Sequence, residues 1–247
     1  MSMIRATHLS LLVTENELDM AVQAAELIEQ QCKEALATRS IFNIAVSGGK
    51  TPIALFRLLS SPEWVKRIDW ERTAMYWVDE HNVAPDDPKS NYSRTRNELI
   101  SRVPLTRFYR IKGEKDPVKA AEDYENLLRD HFCLIPGEPP RFDCILLGVN
   151  QDGRTGSIFP GSAADVLETD RMVMDQYVHE IKSSRITMTF PVLNNARCCI
   201  FLASGKEKHH ILNSALNLMA EPVLPAQKVR PINGKLCWII DEAAYKG

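Results

Sequence analysis

The chain has 247 residues, enough for one large domain or two small ones, and 45% hydrophobic with 25% charged residues is the balance of a soluble globular protein. Thirty basic against thirty-two acidic residues leave a formal charge of −2, which excludes a generic polyanion binder but leaves room for a local pocket taking one phosphate. The opening MSMIRATHLSLLVTENEL lacks a signal-peptide apolar core, and no run of about 18 apolar residues occurs. The sequence therefore predicts a cytoplasmic protein with neither a membrane nor a nucleic-acid partner.

In chain order, residues 14–37 have helical periodicity, with Thr14 and Glu17 spaced as a capping box. The β-branched run IFNIAVS (41–47) predicts a strand, and PIALFRLLS a helix entered through Pro52, a residue suited to a first turn. TAMYWV (73–78) reads as a strand, NYSRTRNELIS as a helix, RFYRI as a strand and DPVKAAEDYENLLRDHF as a helix. FDCILLG and RCCIFLA (197–203) are strands, KEKHHILNSALNLM is a helix, and KLCWIID is the last strand. Strands alternating with helices predict an α/β fold: an open, mostly parallel, doubly wound sheet with helices on both faces. The Pro-rich stretch 221–234 lies too near the end to separate domains, so residues 1–247 are expected to form one domain.

Cys32, Cys133, Cys144, Cys198, Cys199 and Cys237 are scattered through apolar surroundings without C-x-x-C or metal spacing, and are read as structural thiols. The six histidines make no ligand pattern; His209 and His210 are adjacent and would diverge on a helix. No metal is implied.

In an open parallel sheet, ligands lie beyond the C-terminal strand ends, so the residues after each strand carry the functional reading. After the first comes SGGKTP (47–52), whose glycines let backbone N–H groups approach an anion at a helix start; the spacing is not that of a nucleotide P-loop. After the second comes DEHNVAPDDPKSNY (79–92), whose paired carboxylates are equally readable as solvated charges. After the strand ending at Leu147 comes GVNQDGRTGSIFPGS, and after Ala203 comes SGKEK. Each is a modest signal, but four fall on one edge.

These motifs carry a resemblance. SGGKTP, DE…SNY, LG…DG-x-T-x-S-x-FPG, RIT-x-T-x-P-x-L-x-x-A and G-x-x-K stand in the order and spacing of 6-phosphogluconolactonases, within the glucosamine-6-phosphate isomerase/deaminase superfamily. The match runs from about Ile41 to Trp238 and Asp241. TGSIFPG resembles the lactonase version of its segment; the Glu that deaminases place there is Phe159 or a neighbour here.

The resemblance implies hydrolysis of 6-phospho-D-glucono-1,5-lactone to 6-phospho-D-gluconate in the oxidative pentose phosphate pathway, without metal or cofactor, by a monomer or weak homodimer. It implies that Ser47, Gly48, Gly49 and Thr51 form the phosphosugar-binding turn and that Asp79 faces the sugar. Asp152 and Gly153 match a D-G-H motif, and Arg185 and Lys208 match residues expected to hold the 6-phosphate; Arg plus Lys suits a dianion.

Two positions depart from the pattern. The residue after D-G is Arg154 where the family has His, its expected general base, and residue 81 is His where the family favours Arg. Arginine stays protonated and cannot accept the proton. The sequence leaves open whether Asp152 or His81 substitutes, and whether residues 81 and 154 exchange roles. It also leaves open a weak phosphosugar-binding or sensing protein, and an isomerase or deaminase.

Overall fold

The computed structural model describes residues 8–167, 170–178, 182–217 and 223–247. The first seven residues, the end of the predicted KEKHHILNSALNLM helix and the start of the Pro-rich stretch lie outside the described residues.

The elements follow in chain order. They are β1 (His8–Thr14), α1 (Glu17–Thr38), β2 (Phe42–Val46), α2 (Ile53–Leu59), β3 (Thr73–Trp77), β4 (Asp79–His81), α3 (Asn91–Glu98), β5 (Arg107–Tyr109), α4 (Pro117–His131) and β6 (Cys144–Gly148). Then come α5 (Ala163–Val166), β7 (Val173–Val178), β8 (Ser183–Met188), α6 (Phe190–Leu193), β9 (Cys198–Ala203), α7 (His209–Leu216), α8 (Pro225–Lys228), β10 (Lys235–Asp241) and α9 (Glu242–Lys246).

Every predicted strand and helix forms, with ends within a few residues of expectation. The capping box does not. Thr14 closes β1, its hydroxyl directed at the carbonyls of Asn16 and Ile240, and Asn16 caps α1 by accepting from Leu18 N and Asp19 N. Three strands escape the periodicity argument besides β1: β4, β7 and β8. β4 is three charged or polar residues, and β7 and β8 pair mainly with each other rather than with the main sheet.

Among the described residues the main sheet has seven strands in the order β1-β10-β9-β6-β2-β3-β5, all parallel. From β2 the chain winds outward through β3 to β5, then returns to the other side of β2 as β6. The switch in winding direction therefore lies between β2 and β6, where an open α/β sheet leaves a crevice. A second, antiparallel sheet of β4, β8 and β7 stands beyond the C-terminal end of β3.

The central strands read as near-continuous apolar runs because both faces are covered, and β3 and β9 are buried throughout. Phe201 and Trp238 stack at 4.0 Å between adjacent strands. All six cysteines are free. Cys32, Cys144, Cys198 and Cys199 are buried as expected, but Cys133 is exposed, in a left-handed conformation just past α4 (φ 50°).

The end of β3 is tied to α4 by Tyr124. Its hydroxyl accepts from Trp77 N (3.0 Å) and lies 3.1 Å and 3.2 Å from the carbonyls of Trp77 and Tyr109. The phenol is 2% exposed, so water cannot replace these bonds. Tyr124→Phe is expected to cost about 1–3 kcal/mol, the penalty for stranding buried backbone groups. Denaturant unfolding measures it; a loss below about 0.5 kcal/mol would mean the backbone finds other partners.

Candidate active site at the switch between β2 and β6

The loop after β2 begins at Ser47, whose N–H donates to Leu146 O of β6 (3.0 Å), and Val78 N–H donates to Val46 O (3.0 Å). Two glycines follow for different reasons. A Cβ on Gly48 would fall 1.8 Å from Asn91 Oδ1, so the turn packs directly on α3. Gly49 has φ +95° and open space where its Cβ would be, which leaves its backbone bare toward the crevice.

Two adjoining cavities open here, of about 530 and 840 Å³ including their open mouths. They share Ser47, Gly48, Gly49, Gly148 and Asn150. The first is also lined by Asp79, His81, Asn91, Arg154, Gly156, Ser157 and Arg185. Lys50, Thr51, Glu207 and Lys208 are among the residues lining the second. Of the sequence-predicted residues, Ser47, Gly48, Gly49, Asp79, His81, Arg154 and Arg185 thus meet in one cavity. Thr51 and Lys208 belong to its neighbour, so Arg185 and Lys208 line different cavities that meet along Ser47, Gly48, Gly49, Gly148 and Asn150. Asp152 lines neither.

β4 sets the carboxylates. Neither is solvated: Asp79 is 6% exposed and Glu80 2%. Glu80 accepts from the backbone N–H groups of His81, Asn91 and Tyr92 and from Ser90 Oγ, pinning the loop after β4 and the start of α3 to the strand. Burial pushes its carboxyl above the ordinary value, and those donors pull the other way. Asp79 accepts from Ser157 Oγ at 2.7 Å. Burial raises its pKa too, opposed first by that hydrogen bond and then by the charge of Arg185.

Arg185 sits on β8 directly across the ladder from His81. Its Nη1 donates to Ser183 Oγ (2.8 Å) and Ser184 O (3.0 Å), and among the described residues no carboxylate bonds it directly. Lys208 donates to Val149 O at 2.9 Å. Burial pulls both cations below their ordinary pKa values, the signature of charge held out of water.

Arg154 is placed by its own turn. Asn150 N–H donates to Arg154 O, and Asp152 accepts from Arg154 N (3.1 Å) and Arg154 Nη1 (2.5 Å). The guanidinium also lies over the Phe159 ring, 4.4 Å from its centroid. His81 is only partly buried, and its Nδ1 is enclosed without a hydrogen bond among the described residues. Burial is the largest cause lowering its pKa, followed by the charges of Arg185, Arg94, Arg154 and Lys89; together they bring it to about 4. The ring is neutral at pH 7.

Sequence reasoning missed Ser157, Asn91 and Asn150 as working residues. Ser157 and Asn91 were visible as letters of T-G-S and S-N-Y, but nothing local marks which face of a loop they occupy. Among the described residues no group of three or more His, Cys, Asp or Glu is placed to hold a metal, and no helix is long and apolar enough to cross a membrane.

Residues 15–238 match the model of the glucosamine-6-phosphate isomerases/6-phosphogluconolactonase family. The human 6-phosphogluconolactonase is 35% identical over 241 residues, covering 95% of this chain and 92% of its own. That of a Synechocystis strain is 32% identical over 239 residues, covering 92% and 96%. The solved Trypanosoma brucei 6-phosphogluconolactonase superposes with a TM-score of 0.84 at 25% identity, covering 98% of this chain and 99% of that one. A family match over nearly the whole chain, with its motifs gathered at one sheet edge, leaves one conclusion: the chain belongs to the glucosamine-6-phosphate isomerase/6-phosphogluconolactonase family.

Proposed function

We propose that this chain, acting as one domain, hydrolyses 6-phospho-D-glucono-1,5-lactone to 6-phospho-D-gluconate. The observation that carries this reading is the meeting of a bare-backbone turn, a buried acid and the cations Arg154, Arg185 and Lys208 at two adjoining cavities, in a chain whose relatives are named for that reaction. The phosphate lies on the Ser47–Thr51 turn between Lys208 and Arg185, and the lactone ring extends toward Asp79 and Arg154. A dianion restores the balance that burial denies these cations.

In this scheme Asp79 orients the sugar, with Ser157 holding the carboxylate in place. Arg154 stabilises the negative charge that develops on the carbonyl oxygen or the phosphate, and Asp152 aims it. The chemistry is water attack on an activated ester, and these residues supply it without a metal or cofactor. Six unbridged thiols support a cytoplasmic setting; the reading includes a monomer or weak homodimer. Arg154 favours a second reading, a phosphosugar-binding protein with little turnover. Ligand-dependent thermal stabilisation without hydrolysis would identify it.

Hydrolysis of freshly generated lactone, followed through oxidation of the 6-phosphogluconate formed, tests the proposal; a rate equal to the spontaneous one sinks it. Lys208→Ala and Arg185→Ala should each weaken transition-state binding of the phosphorylated lactone by about 1.5–3 kcal/mol, the worth of a hydrogen bond to a charged group. Unphosphorylated gluconolactone should be handled almost equally by all three proteins. Equal damage to both substrates would remove the phosphate role.

Ser157→Ala tests the buried acid. Asp79 has a raised native pKa, so its contribution to stability falls as pH climbs from the unfolded value through the native one. Removing the hydroxyl deprives the ionised form of its donor and steepens that fall. The loss in melting temperature should be larger at pH 8 than at pH 4, because the hydroxyl donates to the ionised carboxyl and rising pH favours that form. Equal losses at both pH values would mean the bond is not made to a carboxylate.

A further inference from the structure

Water attack on a lactone needs a proton acceptor within the cavity, and the lining supplies few. Arg154 and Arg185 remain charged and accept nothing. Asp152 lies outside the lining and is committed to Arg154 by two hydrogen bonds. Glu80 is saturated by four donors beneath the strand. Asp79 is almost wholly enclosed and bonded to Ser157, and among the described residues it is the only carboxylate lining the cavity against Arg154 and Arg185. His81 is the remaining titratable group, partly open to the cavity and free of any carboxylate bond at Nδ1 among the described residues.

We propose that His81 is the general base of the site, and that Arg154, reaching the same cavity from the loop after β6, is a fixed cation rather than a replacement for a base. This rests on the lactonase reading above. In the step, the neutral imidazole takes a proton from water as the water oxygen bonds to the lactone carbonyl carbon. The tetrahedral intermediate then collapses, breaking the bond to the ring oxygen. That oxygen receives the proton from the imidazolium and leaves as the sugar hydroxyl. The carboxylic acid formed ionises in solvent, so the histidine ends neutral.

The placement is built into the ladder. His81 pairs with Arg185 across β4 and β8, so the ring and the guanidinium sit side by side at the cavity edge. The Glu80 cluster fixes the His81 backbone from below, through the N–H that His81 donates to it at 2.7 Å. The charged groups acting on the ring are Arg185 from β8, Arg94 from α3, Lys89 from the loop between β4 and α3, and Arg154 from the loop after β6; Asp79 lines the same cavity from the same strand, and Glu80 lies on the strand's other face. With the site empty, burial first and then these cations keep the imidazole unprotonated. A bound phosphate dianion offsets Arg154 and Arg185, which raises the basicity of His81 when substrate is present. An acceptor pKa nearer the working pH is the better catalyst.

The test compares wild type with His81→Gln, Arg154→His and Arg94→Gln, using 6-phosphogluconate binding by calorimetry as the check that each variant folds. His81→Gln should lower kcat by about 10²–10⁴-fold, the usual worth of a general base, with product affinity unchanged. Arg154→His should lower kcat/KM, because it removes a cation from a site that already has its base. Arg94, which does not line the cavity, should affect the pH profile alone: Arg94→Gln removes a positive charge, raises the His81 pKa and moves the acid limb of kcat upward. A wild-type kcat in His81→Gln overturns the proposal, as does loss of kcat together with product affinity, which would make His81 a binding or structural residue. A tenfold rise in turnover with Arg154→His overturns it too, since the wild type would then lack a base. Wild type no faster than spontaneous hydrolysis would instead remove the lactonase reading, and this proposal with it, before any variant is made.

Discussion

Val78 belongs to two sheets at once, and the site depends on it. Its N–H donates to Val46 O in the parallel sheet, and its carbonyl accepts from Met188 N of the antiparallel one at 2.7 Å. The chain therefore leaves β3 and enters β4 without an intervening loop, and Asp79, Glu80 and His81 emerge at the C-terminal edge in a rigid extended strand. Strand alternation then divides their labour. Asp79 and His81 share the face lining the cavity, and Glu80 points the other way into its four donors. A tight turn at the same place would have spent these carboxylates on capping itself.

The electrostatics follow from that placement. Asp79 is the carboxylate lining the first cavity, against Arg154 and Arg185, with Lys208 close by in the next. Burial opposes the charge of Asp79, Arg185 and Lys208 alike. Salt bridges elsewhere settle such costs by direct pairing, as Asp143 does with Arg39 at 2.8 Å. Arg185 instead donates to a hydroxyl and a carbonyl, and Lys208 to a carbonyl. Cations held by neutral partners keep their charge available to an incoming anion, an arrangement that a purely structural cluster has no reason to maintain.

The fold was legible because the parallel strands are buried on both faces. Runs such as CILLG and CCIFLA read as strands without any knowledge of what covers them. β4 was not legible, because DEH has neither apolar alternation nor length, and its strand character comes wholly from pairing with β8. β8 was itself seen as motif letters and not as a strand. Thr14 misled for a local reason: the residue with the capping spacing was spent on ending β1, and Asn16 two positions on took the cap. The residues at strand ends were legible as a set because topology collects them on one edge. Their division between two cavities was not, since it depends on which side of the Ser47–Gly49 turn each loop descends.

The same geometry bears on residues 81 and 154. They are 73 positions apart by number, on a short strand and in a loop, yet both border one cavity and both act on Asp79 and Arg185 or lie beside them. A hydrolytic site of this kind needs one titratable acceptor and enough fixed positive charge; it does not dictate which wall supplies which. Exchanging histidine and arginine between the walls leaves the count of each unchanged, whereas changing either position alone would remove the base or crowd the cavity with a further cation. The supports differ accordingly. Arg154 carries an ion-pairing carboxylate and an aromatic face suited to a guanidinium, and His81 stands with no carboxylate bond to its Nδ1 among the described residues. Each residue stands among partners suited to its chemistry, which is what the proposed division of base and fixed cation between the two walls requires.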